Sequence, residues 1–345
     1  MTWGLEVAGH RYTNKLLAIQ ENQKTGQPII FRAPDSFEVF DFSLRPSLSL
    51  DQLCVRHAKM LRQKYNRVHL FYSGGCDSHF ILKTFIDNDI KIDKVIMVKS
   101  GFKQADFEID DYALPFIKKC GLHYEIREPS IDYYRAYYLE TPNKVRTQNE
   151  YWQHFRLNNH FENVGQTDSD TVNIFGKEKP KLTYVDDKWY TYMLDVEVTP
   201  QPGQHNFFLD DPEIYSEQCH MLLDHIGKEM DKSQFNLITH YDEHQDFWNI
   251  GIGRYKPGEY FPLKVLSENG FHNNKDQLAI QSAEPRLVLA WKRRNGKLLE
   301  TYGTNWFNQG DPAMGTIGVF SKFFGLTEKS VKTVDELYPN GFKIQ

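Results

Sequence analysis

The 345-residue chain has only four cysteines, Cys54, Cys76, Cys120 and Cys219, and no two of them form a Cys-x-x-Cys pair. That scatter excludes the common zinc spacings and a disulfide framework, and it suits a reducing compartment. No apolar run approaches the roughly 20 residues a membrane helix requires. The opening "MTWGLEVAGHRY" lacks the charged start and apolar centre of an export signal. A cytoplasmic protein with no membrane partner is therefore expected. Basic excess is missing too: the net charge is −5 at pH 7. This argues against a chain coated for nucleic acid but leaves local basic surfaces open. No Gly-x-x-x-x-Gly-Lys-Ser/Thr stretch occurs, and no Gly-x-Gly-x-x-Gly follows the first strand of the alternating region described next.

Aromatic residues are plentiful, 14% of the chain with 24 Phe and 19 Tyr, and a hydrophobic fraction of 40% suffices for a sizeable core. One large or two modest domains is the natural prior for this length. Residues 1–48 are read as a small antiparallel β region from "KLLAIQ", "PIIF" and "FEVFDF", separated by turn-forming stretches. Ser49 with Gln52 reads as a capping box opening a helix, whose apolar face is Leu50, Leu53, Cys54, Ala58, Leu61 and Tyr65. Its basic face, Arg56, Lys59, Arg62 and Lys64, reads as solvated. From Val68 strands and helices alternate: "VHLFY", "SHFILKTFIDN", "DKVIMVK", "FEIDDYALPFIKKC" closed by Gly121, "LHYEIRE" and "TVNIF". That order predicts right-handed crossovers and a doubly wound parallel α/β sheet over 49–205, with its ligand at the carboxyl ends of the strands. Residues 206–345 read as a mostly helical accessory or substrate region with "DPEIYSEQCHMLLDHIGKEM" as a helix and a hairpin turning at Asn295–Gly296.

The stretch "LFYSGGCDSHFIL" (70–82) sets two glycines, two serines and an aspartate between an apolar strand and an apolar helix. Gly74 and Gly75 allow a sharp turn and close backbone approach to a ligand. Ser73, Ser78 and the first amides of the helix are donors at the positive end of a helix dipole, the chemistry of a phosphate site. Asp77 beside phosphate requires an intervening cation, and Mg²⁺ is the expected one.

Ser73-Gly74-Gly75-Cys76-Asp77-Ser78 resembles the pyrophosphate loop of the N-type ATP pyrophosphatases, the PP-loop superfamily with the adenine nucleotide alpha-hydrolase fold. "VIMVKSGFKQADFEIDDYALPFIKKCGLHYEI" and "VNIFGKEKPKL" look like its asparagine-synthetase branch, in particular the stand-alone proteins of large tailed bacteriophages and some bacteria. The resemblance covers about residues 68–230 and implies ATP and Mg²⁺ as cofactors. It implies that Ser73, Gly74, Gly75 and Ser78 hold phosphates, Asp77 holds the metal, and Val98, Lys99 and Ser100 lie beside adenine. Glu108, Asp110 and Asp111 open the next helix, where carboxylates also suit the dipole. Where asparagine synthetases carry an acidic Ser-Gly-Glu-Gly-x-Asp-Glu segment, this chain has Gly176-Lys177-Glu178-Lys179-Pro180-Lys181. Lys177 and Lys179 are expected to neutralise a leaving pyrophosphate. Glu178 is the acid left there as base or metal ligand. The departure puts asparagine synthesis itself in question.

The chain begins Met1-Thr2-Trp3, without the second-position cysteine of a class II glutaminase. The nitrogen is expected from ammonia or an amine. The implied reaction is adenylation of an oxygen on a small-molecule or nucleobase acceptor, followed by displacement of AMP by nitrogen. A nucleobase-modifying enzyme acting on nucleic acid and a non-catalytic nucleotide-binding module are the alternatives. Lesser candidates are the acidic cluster His240, Asp242, Glu243, His244 and Asp246, the basic tip Lys292, Arg293, Arg294 and Lys297, and the stripe Tyr133, Tyr134, Tyr137 and Tyr138. Each has a plainer reading as helix end, solvated turn or core, and Cys76 reads as packing.

Overall fold

A computed structural model describes residues 4–12, 15–99, 106, 108–128, 170–176, 180–193, 204–229 and 322–339. Its centre is a five-stranded, wholly parallel sheet ordered β10-β7-β4-β5-β6. The strands are β4 (Arg67–Phe71), β5 (Lys94–Val98), β6 (Tyr124–Arg127), β7 (Thr171–Phe175) and β10 (Gln204–Asn206). The chain lays β4, β5 and β6 outward in succession, then returns to place β7 on the other side of β4. The order thus reverses between β4 and β7, and a crevice opens there at the carboxyl ends of the strands. The expected parallel α/β architecture is the one observed, and β10 spans the expected division between residues 205 and 206.

Helices α3 (Leu50–Lys64), α4 (Cys76–Ile86), α5 (Leu114–Lys119) and α6 (Pro212–Glu229) share one core with a single face of this sheet. Leu53, Leu61, Phe80, Phe85, Ile117 and Ile214 meet Val68, Leu70, Val95, Met97, Val172 and Ile174 in that core. Period-2 alternation sends Phe71, Ile96 and Phe175 to the opposite face, where they form a separate cluster. The capping box on α3 is present, with Ser49 Oγ accepting from Gln52 N–H and Gln52 Oε1 accepting from Ser49 N–H at 3.0 Å. The basic face of α3 is partly paired rather than simply solvated: Arg56 bonds Glu213 and Arg62 bonds Asp93. Before α5 the chain makes a π-helical turn, Glu108–Ala113, and Gly121 ends the helix at φ +64°.

The N-terminal region differs from the expected strands. "KLLAIQ" belongs to a helix, α1 (Lys15–Thr25), and Phe37 and Glu38 of "FEVFDF" end the short α2 (Asp35–Glu38). Leu, Ala, Gln, Glu and Lys are strong helix formers, and α1 is built largely from them. The strands are β1 (Gly4–Val7), β2 (His10–Tyr12) and β3 (Ile30–Arg32), ordered β2-β1-β3 and antiparallel. A third sheet, β12-β11-β9-β8, joins β8 (Leu182–Val185) and β9 (Lys188–Met193) to β11 (Lys322–Gly325) and β12 (Val331–Thr333), ahead of α7 (Val334–Leu337). A second core joins β1, α1, β3 and α2 to β8, β9, β11 and α6, while Leu337 of α7 packs in a smaller cluster with Tyr190, Tyr192 and Phe323. Leu5, Phe31, Phe37 and Phe42 pack with Leu182, Trp189, Tyr215, Cys219 and Phe324.

Two polar features hold α3 against the sheet. His57 Nε2 lies 2.7 Å from His205 Nε2. His57 Nδ1 lies 3.0 Å from Asp211, and His205 Nδ1 lies 3.2 Å from Asp210. Burial pushes Asp210 up to about 7 and His205 down. The second feature is Asp93, which accepts from Val68 N–H at 2.8 Å and pairs with Lys91 at 2.8 Å and with Arg62. Burial alone would raise its pKa, but the bonds from Lys91, Val68 N–H and Arg62 win and hold it at about 2. A depressed carboxylate stabilises the fold above its unfolded value of 3.8, and that stabilisation is lost as pH falls toward 2. Asp93→Asn is therefore expected to cost about 2 kcal/mol at pH 7 and progressively less toward pH 2, read as the difference in urea midpoints between wild type and variant across that range.

Candidate functional site

The reversal point is occupied by the turn between β4 and α4. Tyr72 extends the pairing of β4, donating its N–H to Ile96 C=O at 2.9 Å. Gly74 then takes φ +83°, which only glycine adopts without strain, and Gly75 is the N-cap of α4. The turn is shaped by its own hydroxyls. Ser73 Oγ accepts from Gly75 N–H at 3.2 Å, and Ser78 Oγ accepts from Ser73 N–H at 3.2 Å while donating to Gly75 C=O at 3.2 Å. The two serines, expected as phosphate donors, are thus also the internal struts of the loop.

The N-terminal end of α4 lacks the side-chain cap that α3 and α7 have. Ser49 boxes α3 and Thr333 boxes α7, but Gly75 offers α4 no side-chain cap. The amides of Cys76, Asp77 and Ser78 lie in the first turn, one turn short of a helical carbonyl, so an anion is their natural partner. A second tie fixes this turn from behind. Tyr72 Oη lies 2.9 Å from His79 Nδ1, and both side chains are buried. Burial, then the charge of Lys83, pushes His79 down to about 4, so at neutral pH the imidazole is uncharged and shares a single hydrogen with the phenol oxygen.

Across the switch point, β7 ends at Phe175 and Gly176 lies flat against α4. A Cβ at Gly176 would stand 3.0 Å from Ser78 N and 3.1 Å from the carbonyl carbon and Cβ of Asp77. Any side chain here would press on the first turn of α4. Between the two strand ends opens a cleft lined by Phe71, Tyr72, Ser73, Ser78, Ile96, Val98, Phe175 and Gly176. Phe71 and Phe175 stack with centroids 4.3 Å apart at 19°, and the Arg127 guanidinium stands 5.6 Å over the Phe71 ring.

The structure therefore gathers Ser73, Gly74, Gly75, Asp77, Ser78 and Val98 around one edge. Asp77 sits in the first turn of α4 with its backbone and Cβ toward Gly176. Lys99 is engaged beside the cleft, bonded to Asp110 at 2.5 Å and donating its N–H to Arg127 C=O at 2.8 Å. Ser100, Lys177, Glu178 and Lys179 lie outside the described residues. So do the side chains of Cys76 and Glu108, the 133–138 tyrosines, the 240–246 cluster and the 292–297 tip. Among the described residues no three His, Cys, Asp or Glu side chains are grouped to hold a metal, and no helix is long and apolar enough to cross a membrane. Sequence reasoning missed Phe71, Ile96, Phe175 and Gly176 as walls of the cleft, and Arg127 over the Phe71 ring. Their signal was positional: each ends a strand or lies within two residues of its end.

No protein-family model matches this chain, and no curated protein sequence matches it. Among solved structures, an NH3-dependent NAD synthetase from Campylobacter jejuni, determined in complex with nitrate ion, is similar over 74% of this chain and 97% of its own. The identity is 14% and the TM-score 0.34.

Proposed function

We propose that the chain is an ATP pyrophosphatase of the PP-loop kind, in the asparagine-synthetase-like branch. In this reading it adenylates an oxygen of a small acceptor and exchanges that oxygen for nitrogen. One observation carries the reading. A helix whose first turn has a glycine in place of a cap, and whose approach is a pre-shaped Ser-Gly-Gly turn, opens at the order reversal of a parallel sheet beside a cleft.

The chemistry balances as follows. The acceptor oxygen attacks the α-phosphorus, and pyrophosphate leaves with the bridging oxygen. An amine or ammonia then attacks the activated carbon, and AMP departs with the original acceptor oxygen. AMP is a far better leaving group than oxide or hydroxide. Gly74 and Gly75 let the backbone reach the phosphates, and the α4 amides orient them. Lys177 and Lys179 are proposed to neutralise the departing pyrophosphate, and Glu178 to serve as base or metal ligand. In-line positioning and charge stabilisation supply most of the rate.

Asp77, in the first turn of α4, would hold Mg²⁺, a hard cation suited to carboxylate oxygen. When bound, the ion neutralises phosphate charge.

Incubating the full chain with Mg²⁺ and ATP and separating AMP from ADP tests the reading. AMP and pyrophosphate, reduced by at least about a hundredfold in Asp77→Asn, are the expected outcome. ADP as the product sinks it. Tight nucleotide binding without turnover across a panel of carboxylic and nucleobase acceptors would leave a binding module instead.

A further inference from the structure

The loop of residues 73–78 leaves the sheet and enters α4 between two side chains that meet in the core. Period-2 alternation sends Val68, Leu70 and Tyr72 to the helix-covered face of the sheet, where all three join the main core. His79 follows the loop on α4. Tyr72 Oη and His79 Nδ1 stand 2.9 Å apart, so one hydrogen bond closes the base of the loop. Tyr72 is 1% exposed and His79 4%, and solvent does not stand in for that bond.

Each end of the bond is anchored on its own element. Tyr72 N–H donates to Ile96 C=O at 2.9 Å, which ties the residue to β5. His79 N–H donates to Gly75 C=O at 3.0 Å, the bond that opens α4. The His79 ring also meets Phe116 of α5 edge-on, with centroids 4.9 Å apart at 65°. The serine struts inside the loop differ in kind. Ser73 and Ser78 line the cleft, so a bound phosphate competes for the hydroxyls that brace the turn from within. The bond between Tyr72 and His79 reaches back into the core, where the imidazole lies against Phe116.

We infer that Tyr72 and His79 are positioning residues: their core-side hydrogen bond holds the two ends of the 73–78 loop at the spacing that aims the first amides of α4 at phosphate. The inference rests on the proposed pyrophosphatase reading for what those amides do, and on the geometry of the pair alone for how the loop is held.

Tyr72→Phe keeps the ring and deletes the oxygen, and His79→Leu removes the imidazole at similar bulk. Each single variant deprives a buried polar group of this partner and should melt earlier than wild type. The double variant removes both partners, so its melting temperature should return to within about 3 °C of wild type. Turnover then separates the roles. A pair that holds the loop leaves kcat/KM for ATP about tenfold or more below wild type in both singles and in the double, since no bond closes the loop. A double variant that recovers wild-type kcat/KM along with its stability overturns the positioning role. His79→Asn, whose amide reaches the place of Nδ1, should regain most of the turnover lost in His79→Leu.

Hydrogen exchange on Tyr72→Phe provides a readout free of catalysis. The amides of Ser73, Gly75 and His79, bonded within the turn, should exchange about tenfold faster or more, while those of 68–70 keep wild-type protection. A wild type that forms no AMP would remove the pyrophosphatase reading, and exchange would still decide this one. Faster exchange confined to the turn sustains it, and unchanged or uniformly faster exchange refutes it.

Discussion

Gly176→Val is expected to reduce AMP formation by at least about a hundredfold while the protein stays folded. A Cβ at this position meets backbone, not a movable side-chain tip: Ser78 N at 3.0 Å and Asp77 carbon atoms at 3.1 Å. Either β7 backs away from α4 or the first turn of α4 tilts. In each case the amides proposed to orient phosphate move relative to the end of β7. A displacement of about 1 Å in such a frame suffices for a hundredfold loss. The cost in stability should be modest, about 1–3 kcal/mol, as for other overpacked positions. Gly176→Ala grades the effect, since a single methyl needs only a few tenths of an ångström. The measurement is turnover beside a urea midpoint for both variants. A valine variant with wild-type turnover would show that the contact between β7 and α4 has no bearing on the chemistry.

The second large effect concerns the N-terminal region. Phe37 is fully buried, with its ring 5.6 Å from Phe42, 6.2 Å from Tyr215 and 6.4 Å from Phe324. It touches α6 and β11 as well as its own neighbours. Phe37→Ala is expected to destabilise the whole protein by about 3–5 kcal/mol through lost burial and a residual cavity. Because the second core is shared across the chain, tryptophan fluorescence and far-ultraviolet dichroism should report one shifted transition with an unchanged m-value. Two transitions, with only the early one shifted, would instead give residues 4–48 a cooperativity of their own.

How much of this was legible in the sequence follows from how local each signal is. Ser49 with Gln52, Gly121 after the α5 segment, and the Ser-Gly-Gly turn between two apolar runs are each set by neighbours within a few residues, and all stand where expected. The alternation of strand and helix fixed the parallel sheet, because few topologies accept that order. "KLLAIQ" failed because six residues with mixed propensity carry no usable period; the helix becomes evident only with the "ENQKT" that follows. The walls of the cleft were illegible for another reason. Phe71 and Phe175 are more than a hundred residues apart, and only the reversal of strand order makes them neighbours. The hydrogen bonds from Lys181 N–H to Tyr215 and from Thr191 to Lys181 C=O likewise join a loop, a helix and a strand whose hydroxyls look like ordinary core or surface groups in one dimension. Lys177, Glu178 and Lys179 remain readings of sequence.

The chain of Asp210, His205, His57 and Asp211 has a thermodynamic consequence of its own. With Asp210 raised to about 7 and His205 lowered, the folded pair carries its proton on the carboxyl and leaves the imidazole neutral. In the unfolded chain, between about pH 4 and 6.5, the assignment is the reverse: an ionised aspartate and a charged histidine. Folding therefore moves one proton from nitrogen to oxygen and takes up none from solution. At that pair the linkage slope is close to zero across the mildly acidic range. A buried carboxyl and a buried imidazole would each make the fold sensitive to acid or base. Set 3.2 Å apart, they act as an internal buffer.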